Sequence, residues 1–136
     1  MAADAGPSTG RAREVLEALS RGDSEGFARR VHPEVEIHTA RGVRRGADEA
    51  RDWASSTYDH LERRYEVEEM HVAGEDVLVL AHVQYVWRES GEVGDSTPVA
   101  VAMRFVGGKL RSWRVYDDPD EGLKVFTREV ESRGDC

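Results

Sequence analysis

Apolar residues fall into two periods along this chain, and the change between them predicts its layout. Residues 11–21 place Ala12, Val15, Leu16 and Leu19 at helical spacing, with Gly22 as a stop. Asp23 suits the cap of a second short helix burying Phe27 and Val31, which His32-Pro33 ends. Val35 and Ile37 alternate with Glu36 and His38, a short-strand signal, and residues 41–46 read as a turn-rich connection. Ala50, Trp53, Ala54, Thr57 and Leu61 form the apolar face of a third helix, and Asp48 complements its N-terminal dipole. From Arg64 the period becomes two.

Four long strands follow, at roughly 64–73, 77–88, 97–106 and 109–118. Gly74-Glu-Asp, Ser90-Gly-Glu-Val-Gly-Asp and Gly107-Gly108 connect them as hairpins. Pro119 opens a last helix over 120–130, with Leu123, Val125, Phe126 and Val130 as its apolar residues. The expected fold class is α+β: a cone-shaped, curved antiparallel sheet of four long strands and a short one. It wraps over three N-terminal helices and is followed by a C-terminal helix. One domain is expected over 10–131, between flexible tails at 1–9 and 132–136.

Composition narrows the function classes. The chain has 136 residues and a net charge of −8, so nucleic acid is not an expected partner. The charged fraction is 34% and the hydrophobic fraction 39%, but the apolar residues sit in periodic blocks, which argues for a folded core. Cys136 is the only cysteine, so no internal disulfide forms. No apolar run reaches membrane-spanning length and the N-terminus carries no hydrophobic signal core, so a cytoplasmic location is expected. The histidines stand on separate elements without ligand spacing, so no metal is expected, and no Gly-rich phosphate loop calls for a nucleotide or other cofactor.

Two motifs carry a resemblance. Val43-Arg-Arg-Gly-Ala-Asp-Glu-Ala50 enters the third helix, and Gly107-Gly-Lys-Leu leads to Trp113-Arg-Val-Tyr-Asp-Asp118. With the element order, they make residues 11–118 similar to the SnoaL-like group of the nuclear transport factor 2-like superfamily. That group includes polyketide cyclases and relatives of ketosteroid isomerase and limonene epoxide hydrolase. The resemblance implies a cone with a cavity on its concave face. By alignment with the epoxide hydrolases, His82 stands where they have Arg, Gln84 where they have one Asp and Val115 where they have the other. The water-activating acid pair is missing, which argues against epoxide hydrolysis.

A different polar set remains. His82 and Gln84 share a face of their strand, Trp113, Val115 and Asp117 share a face of the last strand, and both sets are expected to face the cavity. His82 and Asp117 are the candidate catalytic pair, since a histidine beside a carboxylate can move a proton near neutral pH. His38, Trp53, Tyr58, Gln84 and Trp113 are candidate ligand-binding residues. Two functions stay open: a binding domain for a small hydrophobic carbonyl-type molecule, or a cofactor-free isomerase or cyclase. Val77, Val79, Val83, Tyr85 and Trp87 lie on the strand face opposite His82, which predicts an apolar dimer surface and a homodimer.

Overall fold

The computed structural model describes residues 6–39, 42–55, 61–87 and 89–134. In chain order it contains α1 (Gly6–Arg21), α2 (Ser24–Arg29), β1 (Val31–Thr39), β2 (Gly42–Arg45), α3 (Ala47–Ser55), β3 (Leu61–Ala73), β4 (Asp76–Trp87), β5 (Val93–Val106), β6 (Lys109–Tyr116) and α4 (Pro119–Gly134). The expected α+β class holds, with three helices before the long strands and one after them. The strands form one curved, open sheet in the order β2-β1-β6-β5-β4-β3.

Local chemistry sets the boundaries. Asp23 caps α2, its Oδ1 accepting from the Gly26 N–H at 2.9 Å. The β5–β6 hairpin turns on Gly107 (φ 60°) and Gly108 (φ 85°), two consecutive left-handed residues as a tight primed turn requires. Asp118 closes the entry to α4: its Oδ1 accepts from the Asp120 N–H at 3.0 Å, and its carbonyl accepts from the Gly122 N–H at 3.1 Å.

Several details differ from expectation. Val31, His32 and Pro33 belong to β1 rather than to the second helix. Residues 42–45 form β2, an edge strand paired to β1, where a turn was expected. Leu61 starts β3 instead of ending α3, and Thr57 lies outside the described residues. Helix α1 begins at Gly6 and α4 runs to Gly134, both inside stretches expected to be tails. The sheet is antiparallel except where β1 runs parallel to β6, with Ile37 opposite Trp113.

The two faces of the sheet have different covers. Val77, Val79, Ala81 and Val83 of β4 pack with Ala12, Val15, Leu16, Phe27 and Trp53 in the main core. They therefore line the concave side, under the N-terminal helices. This corrects the expectation that Val77, Val79, Val83 and Tyr85 form an outer dimer surface: the first three are buried in the core, and Tyr85 packs against it. Trp87, by contrast, is exposed. On the convex side α4 lies over β5 with parts of β4 and β6, and Gly122 meets Ala100 and Tyr116 there. Leu78 and Ala100 are fully buried yet absent from the main core, which fits cover on this second face. Strand β4 thus reads as a continuous apolar run over Val77–Ala81 because both its sides are covered.

Candidate functional site

The concave face is centred on aromatic rings from four elements. Trp113, fully buried on β6, meets Trp53 of α3 edge-on, with ring centroids 5.4 Å apart and planes at 63°. Tyr65 of β3 meets Trp113 at 6.1 Å and 81°, and Phe27 of α2 tilts against Trp53 at 5.7 Å. Edge-to-face contacts of this kind match positive ring edges to negative faces, so they fix orientation as well as bury area. Trp53 and Trp113, two of the candidate ligand-binding residues, are thus in direct ring contact.

Strand register extends this face toward a polar end. Tyr65, Val83 and Thr97 lie opposite one another across β3, β4 and β5. Tyr85, one alternation beyond Val83, packs half-buried against the core. Thr97 and Asp117 are exposed, Asp117 just past the end of β6 and two alternations from Trp113. Val115, between them, is partly buried against the core. The face therefore grades from an apolar aromatic floor to the half-buried Tyr85 and the exposed Thr97.

The other candidates do not join it. His82 alternates with Ala81 and Val83, so it points to the convex side, where its Nε2 lies 3.4 Å from Glu68 Oε1. Gln84 shares that side. His38 alternates with Ile37 and also faces outward, its Nε2 3.2 Å from Glu36 Oε1. Tyr58 lies outside the described residues. His82 faces away from the aromatic rings and has its described ionic contact with Glu68, not with Asp117. Period two groups residues by face without saying which face the helices cover. The deciding signal was present: Val77, Val79, Ala81 and Val83 are unbroken, whereas the alternate set turns polar at His82 and Gln84. The same reading would have placed Tyr65 and Tyr85 at the site.

The convex side carries its own ionic cluster. Glu36 accepts from His38 and lies 3.5 Å from Arg45 Nε. The His38 hydrogen bond, with the nearby positive charges of Arg45 and Arg111, holds the Glu36 carboxyl below the usual range despite slight desolvation. At the β3–β4 turn the buried Asp76 takes a hydrogen bond from Arg104 Nε at 3.0 Å. Among the described residues no group of three or more His, Cys, Asp or Glu side chains could hold a metal ion. No described helix is long and apolar enough to cross a membrane.

Solved structures share this architecture. A putative polyketide cyclase from Xanthomonas campestris superposes with a TM-score of 0.71 at 16% identity, over 85% of this chain and 93% of that one. An epoxide hydrolase from M. tuberculosis, like limonene epoxide hydrolase, gives 0.70 at 14% identity, over 90% of each chain. A protein from Catenulispora acidiphila with a ketosteroid isomerase-like fold, solved with trimethylamine, gives 0.68 at 15% identity, over 78% of this chain and 83% of that one. Such identities speak for the fold and not for a shared reaction. No curated protein matches the chain in sequence. The profile of the SnoaL-like domain matches residues 12–113, from the first helix to the buried tryptophan of β6, and the chain belongs to that family.

Proposed function

We propose that this SnoaL-like domain binds a small, largely apolar molecule of carbonyl type against its concave face, between the Trp53–Trp113–Tyr65 floor and the Tyr85, Thr97 and Asp117 rim. The observation that carries this reading is the grading of one sheet face from buried aromatics to exposed polar groups, the usual composition of a small-molecule site. A cofactor-free isomerase or cyclase remains the alternative, favoured by the putative polyketide cyclase among the structural neighbours. That reaction would draw on Asp117 and the rim hydroxyls, because His82 faces away. The trimethylamine bound by the Catenulispora protein raises an ammonium as another occupant, since aromatic faces attract cations.

Native mass spectrometry of freshly purified protein tests the binding reading. A small organic adduct that leaves on denaturation is expected. Thermal stabilisation by members of a panel of terpenoid and polycyclic ketones is expected as well. Absence of any adduct, together with no stabilisation across the panel, would overturn it.

A further inference from the structure

Trp87 is 47% exposed, whereas Trp53 and Trp113 are buried. The β3–β4 register runs unshifted from the Val67–Ala81 pair to the Leu61–Trp87 pair, so the alternation of β4 is unbroken from Ala81 outward. Ala81, Val83, Tyr85 and Trp87 therefore share the concave side. Burial falls along this row: Val83 belongs to the core, Tyr85 is half-buried and Trp87 is open to solvent. The backbone beneath the indole is pinned. The Trp87 N–H donates to the Glu92 carbonyl at 2.9 Å, and the Trp87 carbonyl accepts from the Gly91 N–H at 2.8 Å. The ring has a seat as well, because a Cβ placed on Gly94 of β5 would lie 2.9 Å from Trp87 Nε1 and 3.6 Å from its Cδ1. A bare glycine lets the indole lie that close to the neighbouring strand. An aromatic ring held in place yet left in water offers contact area at a low ordering cost.

We infer that Trp87 is the outermost contact of the concave site, stacking on the far end of the bound molecule. The inference rests on the reading of the concave face as a binding site, and it sets the length of the occupant. By strand rise, Trp87 stands about 7 Å beyond Tyr85 and about 13 Å beyond Val83. A single ring resting on Tyr85 ends short of the indole. Two rings in line reach it, and the contact removes apolar surface of both partners from water. The site therefore selects an elongated ketone of at least two rings over a monocyclic one.

Cyclohexanone and 4-cyclohexylcyclohexanone test this, since they carry the same carbonyl on one ring and on two rings in line. Of the three tryptophans only Trp87 is exposed, so the indole emission that acrylamide quenches reports on it. The two-ring ketone is expected to shield this emission from acrylamide, and cyclohexanone is not. In calorimetric titrations Trp87→Ala weakens the two-ring ketone by about tenfold, the worth of the apolar area of one ring face, and leaves cyclohexanone within about twofold. Gly94→Ala displaces the indole without removing it and weakens the two-ring ketone by a smaller factor. The quenching comparison on wild type needs no variant, so it stands even where a substitution impairs folding. Equal losses for both ketones in Trp87→Ala, or no loss for either, would overturn the inference. So would shielding that grows with protein concentration alone, which would assign the indole to a contact between copies. If both ketones bind wild type while Trp87 stays open to acrylamide, the role of Trp87 falls and the site stands. If neither ketone binds, the site and the role of Trp87 fall together.

Discussion

A Cβ placed on Gly122 would lie 2.6 Å from the Ala100 Cβ and 3.2 Å from Tyr116 Cδ2. Helix α4 thus approaches the convex face of the sheet as closely as backbone allows. Gly122→Ala should destabilise the protein by about 1–3 kcal/mol through overpacking, offset in part by the better helix propensity of alanine. Urea melts measure this. Adding Ala100→Gly to Gly122→Ala should recover part of the loss, a coupling that simple helix-propensity changes would not give.

Much of this fold was legible because the deciding signals are local. Asp23 announces a cap, Gly107-Gly108 a tight hairpin and Pro119 a helix start, and each element begins where its residue says. Strand β2 was not legible: all four of its residues are exposed, and backbone pairing to β1 alone makes it a strand. The parallel β1–β6 pairing joins segments far apart in sequence, which no local pattern encodes. The site was half legible for a related reason. Trp53 and Trp113 could be grouped as large apolar residues, but the inward face of β4 depends on where α1 and α4 pack. Alternation alone therefore leaves the face of His82 and Gln84 undecided and does not single out Tyr65 and Tyr85.

Glu36 should leave a signature in acid. Its carboxyl is held below the ordinary glutamate range by the His38 hydrogen bond and by the charges of Arg45 and Arg111. A carboxylate with a lowered folded-state pKa stabilises the fold fully above its unfolded value, about 4.3, and loses that contribution as the pH falls through the folded value. Glu36→Gln should therefore be less stable than wild type near neutral pH. The gap should close as the pH drops below about 4. Urea melts of both proteins across this range check the trend, and a gap that widens in acid would contradict it.

His82→Ala should change little. The imidazole sits on the convex side, with its side chain 35% exposed and its Glu68 partner 57% exposed. A histidine–carboxylate contact so open to solvent contributes about 0–1 kcal/mol at most. The expected stability loss is within that range, and binding of a concave-face ligand should be unchanged. A large loss of ligand affinity in this variant would place His82 at the site and contradict the face assignment.

Asp117 and Asp118 are adjacent yet have separable roles. Asp118 caps α4, through its Oδ1 on the Asp120 N–H and its carbonyl on the Gly122 N–H. Asp118→Ala should cost about 1 kcal/mol, the usual value of a lost helix cap. Asp117 lies exposed in the bend just past the end of β6, two residues after Val115. Asp117→Asn keeps the size and hydrogen-bonding capacity of the side chain but cannot take up a proton. Its stability should match wild type in urea melts, because the cap is untouched. Affinity for a ketone ligand should change by less than about tenfold, since a rim group shares its interactions with water. The same variant separates the two functions when carbonyl compounds are screened for isomerisation or cyclisation. A binding domain has no turnover to lose. An enzyme using Asp117 as its base would lose about 10² or more in kcat while keeping its affinity, the usual contribution of a positioned general base. Wild-type turnover that collapses in Asp117→Asn would move the concave face from a binding site to an active site, with the rim carboxylate as its proton acceptor.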